Sequence, residues 1–254
     1  MDAPTDAHSW LIARPIAHRG LHDRARGVIE NTPSAVAAAV AANFSIEVDL
    51  QISADGEAMV YHDDALGRLT DGAGALRSLD AATLRRVPFK DTSDRMMTLG
   101  ELGDLVGGRV AMVLELKSHF DDSSGLVERA ATVLRAYRGP AALMSFDPAM
   151  VLAARRFAPE LARGIVAQDR YDDAEWASVS RGGRRRMRHL RHAFASRPHF
   201  VAYCVDDLPS LAPWVARNLF GRPLITWTVR TPAQRARAAR WADQIIFEGF
   251  TPEP

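Results

Sequence analysis

Strand-like apolar runs alternate with helical patterns along almost the whole chain, and this alternation restricts the available folds more than any other feature. The strand candidates are Pro15–His18, Ser45–Gln51, Arg109–Glu115, Ala141–Ser145, Ala162–Val166, Phe200–Val205, Leu224–Val229 and Gln244–Phe247. Helical candidates lie between them at Thr32–Ala42, Thr98–Val106, Leu126–Tyr137, Pro148–Phe157, Asp172–Ala195, Pro209–Asn218 and Pro232–Trp241. Thr32-Pro33, Asp147-Pro148 and Thr231-Pro232 each set a capping oxygen before a proline, which suits the first turn of a helix. Eight strands interleaved with helices in 254 residues is the count of a (β/α)8 TIM barrel. An open doubly wound sheet is the alternative, but no glycine-rich fingerprint follows the first strand. The expectation is one α/β domain over residues 10–252, with a β-hairpin and a loop insertion after strand 2.

The hairpin is the stretch SIEVDLQISADGEAMVYHDD at 45–64. Ile46, Val48 and Leu50 alternate with Glu47, Asp49 and Gln51, so Glu47 and Asp49 share a face. Two carboxylates at that spacing repel unless a cation lies between them or one is protonated. Asp55-Gly56 reads as a two-residue turn, which would set His62 opposite Asp49; a bulge would move the pairing by one residue. The segment from His62 to Thr98 is turn-rich and longer than an ordinary connection, as functional loops often are.

Composition excludes several classes. The net charge is +1, so nothing global calls for nucleic acid. The single Cys204 lies in an apolar run and reads as a buried, inert thiol. The first ten residues lack the basic-then-apolar pattern of a signal peptide, and no run approaches the ~20 apolar residues of a membrane span. The expected setting is cytoplasmic, and self-association into a homo-oligomer stays open.

In a barrel the active site lies at the C-terminal strand ends. Strand 1 ends in Ala17-His18-Arg19-Gly20, where an arginine fork and an imidazole suit a phosphoester. Strand 2 brings Glu47 and Asp49, and strand 3 brings Glu115 and Lys117. Three carboxylates without cysteine suit a hard divalent cation, Mg²⁺ or Ca²⁺. A buried ion network, Glu115 with Lys117 or Glu47 with Arg19, is the other reading of the same spacing.

IAHRG at 16–20, ENT at 30–32, IEVDLQ at 46–51, DGEAMVYHDD at 55–64 and LELK at 114–117 together resemble the glycerophosphodiester phosphodiesterase family in residues, order and separation. SFD at 145–147 and ITWTVR at 225–230 agree more loosely. The resemblance spans Pro15 to Phe247. It implies a TIM barrel that hydrolyses glycerophosphodiesters to glycerol 3-phosphate and an alcohol. By motif position, His18 and His62 would be the acid/base pair, and Glu47, Asp49 and Glu115 would hold the cation. Arg19 and Lys117 would neutralise phosphate charge, with Glu30 and Asn31 supporting the site. The nucleophile would be water or the substrate's own 2-hydroxyl, and either histidine could be the base. A lysophospholipase D, a sugar-phosphodiester hydrolase or an inactive phosphate-binding barrel would share the site. Two positions depart from the family: Glu248 stands where a Thr-Asp pair is usual, and Arg230 where Asn is common. Both bear on the headgroup.

The remaining candidates have plainer readings. His8 belongs to a frayed terminus, and His22 to an exposed loop. His119 follows strand 3 and is a candidate for the substrate mouth. Trp227 and Phe146 either pack against substrate carbons or belong to the core. The run RGGRRRMRHLRH at 181–192 reads as a solvated helix face, with peripheral attraction to anionic lipid as the sharper alternative.

Overall fold

The computed structural model describes residues 8–173 and 176–252. Its strands are β1 (Ile16–Ala17), β2 (Ser45–Ile52), β3 (Ala58–Val60), β4 (Met112–Leu116), β5 (Ala141–Ser145), β6 (Ala162–Ala167), β7 (Phe200–Cys204), β8 (Leu224–Val229) and β9 (Gln244–Phe247). All but β3 pair in parallel in chain order, and β9 returns to β1, so the sheet closes into an eight-stranded barrel. β3 is appended antiparallel to β2. The helices packed outside are α1 (Pro33–Ala41), α3 (Leu99–Val106), α4 (Gly125–Leu134), α5 (Pro148–Phe157), α6 (Arg181–Arg188), α7 (Ala193–Ser196), α8 (Leu211–Asn218) and α9 (Pro232–Trp241), with a short α2 (Ala81–Leu84) in the segment after β3.

The barrel has two apolar layers because strand side chains alternate. Ile46, Val48 and Leu50 face the helices and pack with Val36, Leu99 and Leu102. The opposite parity fills the interior: Ile16, Val113, Met144, Phe200, Ile225 and Ile246 form one buried cluster, joined by Leu11 from the segment before β1. Gly164 belongs to this interior face, and a Cβ there would lie 2.3 Å from the Phe200 ring, so glycine makes room for the aromatic plug. The same parity, carried one step beyond each apolar residue, delivers His18, Glu115, Phe146, Trp227 and Glu248 to the C-terminal end.

Two expectations need correction. The β2–β3 register pairs Leu50 with Val60, Gln51 with Met59 and Ile52 with Ala58. The loop therefore has three residues, Ala54 to Gly56, rather than two. Gly56 takes φ +83°, the left-handed position that ends such a loop. The Tyr61 amide, not His62, bonds the Asp49 carbonyl, at 3.0 Å. The expected helical stretch Asp172–Ala195 is also broken. It becomes α6 and α7, separated at Leu190, whose positive φ of 51° cannot continue a helix; residues 174 and 175 of that stretch lie outside the described residues.

The insertion between His62 and Thr98 is not an open lid. It encloses its own apolar cluster, in which Met59 and Tyr61 meet Leu69, Leu76, Leu84 and Phe89. That small core holds the segment over one side of the barrel mouth.

Candidate active site

β2 places Glu47 and Asp49 together on the interior face, and β4 places Glu115 beside Asp49 in register. Glu47 and Asp49 are each only 1% exposed. One oxygen from each of the three carboxylates lies within 4.8 Å of the others. Lys117 closes one side, with Nζ 3.0 Å from Asp49 Oδ1 and 2.7 Å from Glu115 Oε1.

The loop after β1 closes the other side. Gly20 sits so close to α1 that a Cβ would lie 2.8 Å from the Ala35 carbonyl carbon; with φ +79°, only glycine fits. This turn presents Arg19, whose backbone N–H donates to Glu47 Oε2 at 3.0 Å. Its guanidinium donates to Glu30 Oε1 at 2.6 Å and lies 3.3 Å from Asp49 Oδ2. Of the two pairs in the network reading, Glu115 with Lys117 forms, and Arg19 reaches Glu47 through its backbone N–H while its side chain goes to Glu30 and Asp49. Asn31 is fully buried and braces Asp49 twice: Nδ2 donates to Oδ2 at 2.9 Å, and Oδ1 accepts from the Asp49 amide at 3.2 Å.

Both histidines are held from behind by a carboxylate. His18 Nδ1 lies 2.7 Å from Glu248 Oε2, and its Nε2 is 3.9 Å from Glu47 Oε2. Glu248 is in turn held by Arg230 Nη2 at 3.0 Å. His62 Nδ1 lies 2.8 Å from Asp63 Oδ1. Arg68, from the insertion, clamps Asp63 at 2.6 Å and Glu30 at 2.7 Å, tying the His62 side of the site to the Arg19 side.

The electrostatics separate the carboxylates. Burial, then the charges of Asp49 and Glu115, pushes the Glu47 carboxyl well above its ordinary range. Burial alone would also raise Asp49, but Lys117 and then Arg19 outweigh it and hold Asp49 far below. Burial works against charge on Lys117 too; Asp49 and Glu115 reverse that and raise it. The hydrogen bond from His18 holds Glu248 down at about 2. Burial lowers His18, against the opposing pull of Glu248.

Glu47 Oε1 is buried without a hydrogen-bond partner among the described residues. Two cationic side chains, Arg19 and Lys117, face three acids, and the orphaned oxygen points to where charge is still missing. An all-oxygen donor set of this kind fits a hard divalent cation.

A cavity of about 360 Å³ opens beside the triad, lined by His62, Glu115, Lys117, His119, Phe146 and Trp176 among others. His119 thus does line the mouth. Phe146 and Trp227 meet edge-on at 5.4 Å, and Trp227 Nε1 is buried without a partner among the described residues. His22 departs from its reading as an exposed loop residue: its Nε2 is buried with no hydrogen-bond partner among the described residues, and it lines a second cavity beside Glu248. The sequence reading missed Glu248, Asp63 and Arg68 as site residues. Glu248 carried a signal, since it lies two residues past interior Ile246; Arg68 carried none, because it arrives from an insertion with no strand parity.

A sequence model of the glycerophosphoryl diester phosphodiesterase family matches residues 18–251. A glycerophosphodiester phosphodiesterase of Caldanaerobacter subterraneus subsp. tengcongensis is 28% identical over 163 residues, 60% of this chain and 66% of that protein. Glycerophosphodiester phosphodiesterase 1 of Mus musculus is 28% identical over 152 residues, 56% of this chain and 45% of that protein. The matched stretches thus span between about half and just under two thirds of these relatives' lengths. Among solved structures, an Oleispira antarctica phosphodiesterase in complex with the product sn-glycerol-3-phosphate superposes with a TM-score of 0.77 at 19% identity, covering 94% of this chain and 93% of that one. A glycerophosphoryl diester phosphodiesterase-like structure from Silicibacter pomeroyi gives 0.72 at 24% identity, over 92% and 89%. Both likenesses establish the barrel fold.

Proposed function

The chain belongs to the glycerophosphoryl diester phosphodiesterase family, and from that premise we propose that it hydrolyses glycerophosphodiesters to glycerol 3-phosphate and an alcohol with the help of a divalent cation. One observation carries the reading: three clustered carboxylates, one with an orphaned buried oxygen, stand between two histidines that are each held by a separate acid. A single domain over residues 10–252 would carry the activity, on a small phosphodiester of the cytoplasm. The bound product named for the Oleispira antarctica neighbour is the phosphomonoester this reaction would release.

Glu47, Asp49 and Glu115 would hold Mg²⁺ or Ca²⁺, which when bound would offset the charge that builds up on the non-bridging phosphate oxygens. Arg19 and Lys117 would meet the rest of that charge as fixed donors. His18 presents Nε2 to the site because Glu248 holds Nδ1, and it would take the proton of the attacking hydroxyl. His62, held by Asp63 through Nδ1, would protonate the departing alkoxide. Glu30 and Asn31 would keep Arg19 and Asp49 aligned. Trp227 would pack against the glycerol carbons.

A second substrate class, lysophospholipids, is favoured by one feature. Phe120, Phe146 and Trp176 form an aromatic wall along the cavity, with ring centroids 5.9 and 5.0 Å from Trp176. The test is kinetic. His18→Ala and His62→Ala should each lower kcat by about 10²–10⁴-fold on glycerophosphocholine or lysophosphatidylcholine, whichever is turned over. An unchanged kcat in either variant contradicts the assignment.

A further inference from the structure

Six large apolar side chains stand exposed among the described residues, and five share one flank: Phe194 (82%), Leu211 (76%), Leu219 (65%), Phe220 (60%) and Trp214 (44%). Leu211, Trp214 and Val215 recur at helical spacing on α8. Between α7 and α8 runs a groove of about 990 Å³ whose floor includes Phe194, Leu211, Val215 and Phe220. Arg188, Arg191, Arg197 and Arg222 also line it, and Asp169, its one lining carboxylate, is paired with Arg188 at 2.8 Å. Arg191, Arg197 and Arg222 have no ion pair among the described residues. Positive charge accumulates beneath them: burial, then Arg155, Arg222 and Arg197, hold nearby Arg163 below the ordinary guanidinium value.

An exposed apolar groove of this size marks a docking surface, and the arginines select what docks. A second copy related by a two-fold axis would set the same arginines against one another. A neutral apolar partner would bury three guanidiniums without counter-charges, which is costly. An anionic bilayer satisfies both features, since aromatic and leucine side chains enter the headgroup–acyl boundary while arginines meet lipid phosphates. We infer that the α7–α8 flank docks on anionic phospholipid surfaces, with Phe194, Leu211, Trp214 and Phe220 inserted and Arg191, Arg197 and Arg222 on the phosphates. The groove shares no residue with the catalytic cavity. It takes in only the C-terminal end of the basic run at 181–192, through Arg188, His189 and Arg191. Arg184 of that run is committed internally, donating to the Val179 and Tyr171 carbonyls at 2.9 and 3.0 Å.

The test is flotation of the full chain with phosphatidylcholine vesicles and with mixed phosphatidylcholine–phosphatidylglycerol vesicles. Two variants accompany it, Phe194→Ser with Phe220→Ser, and Arg191→Glu with Arg197→Glu and Arg222→Glu. All five side chains are exposed, and melting curves verify that both variants fold. The wild type should float with the anionic vesicles only, and each variant should lose at least about tenfold in partitioning while turnover of a soluble glycerophosphodiester is unchanged. Absence of wild-type flotation overturns the inference, as does equal flotation of the variants. A wild-type dimer that the phenylalanine variant converts to monomer, without any lipid binding, would assign the face to self-association and overturn it as well.

Discussion

His18 Nδ1 lies 2.7 Å from Glu248 Oε2, across the seam where β9 closes on β1. One strand ends in the imidazole and its neighbour in the carboxylate, each two residues beyond an interior isoleucine. The contact holds His18 by one nitrogen and leaves the other for the site. Arg230, at the end of β8, secures the carboxylate from outside at 3.0 Å. The two departures from the usual family residues, Glu248 and Arg230, are therefore partners of each other.

On the proposed mechanism, this pairing makes Glu248 a positioning residue for His18. Glu248→Gln should lower kcat by on the order of 10²-fold, at the low end of general acid–base contributions, while KM moves by no more than a few-fold. Glu248→Asp should recover part of the loss. A proportionate change in KM, or no recovery by the aspartate, would show that Glu248 acts on substrate binding or on the fold.

The carboxylate triad predicts a stability effect that needs no turnover. Three clustered acids, two of them buried, repel, and a cation between them relieves that repulsion. Mg²⁺ or Ca²⁺ should raise the melting temperature by several degrees, on the scale at which a bound ligand at a large excess over its Kd contributes about 2–3 kcal/mol. Glu47→Gln removes one of the acids. It should melt higher than the metal-free wild type and should lose the cation-induced shift, which differential scanning calorimetry with EDTA and with each ion would read directly.

His192 predicts the response to acid. It is buried, neither ring nitrogen has a hydrogen-bond partner among the described residues, and burial followed by the charge of Arg186 lowers it to about 4. Its folded value lies below the unfolded one, so the unfolded chain binds the proton first. The neutral ring's contribution is complete above the unfolded value near 6.5 and is lost as pH falls toward 4. The loss should approach about 3 kcal/mol by the lower end of that window. In urea titrations, His192→Leu should lose correspondingly less stability than the wild type over the same pH range. Parallel losses in the two proteins would contradict the assignment.

The barrel was legible because its strands obey parity and its helices carry their caps in sequence. β5, α5, β8, α9 and β9 occupy their expected spans, and Thr231 closes a capping box with Gln234 as its Thr-Pro start suggests. Glu47, Asp49, Glu115 and Lys117 were legible for the same reason, as charges embedded in apolar strands. The hairpin register was not. A left-handed Gly56 serves a two-residue or a three-residue loop equally well, and the choice depends on how β3 packs against the insertion. Glu248 was read as a departure because only the closed barrel brings residue 248 against residue 18. Arg68 depends on the insertion's own core, which no periodicity announces. The break between α6 and α7 rests on one positive-φ residue, Leu190, inside an otherwise helical pattern.

Metal-assisted hydrolysis at the carboxylate and histidine site is read from release of glycerol 3-phosphate from glycerophosphocholine and glycerophosphoethanolamine, first with EDTA and then with Mg²⁺ or Ca²⁺ restored. Turnover should vanish with the chelator, return with one of the two ions, and fail to return in Glu47→Gln. Turnover that persists undiminished in EDTA, or that Glu47→Gln retains in full, would contradict the account.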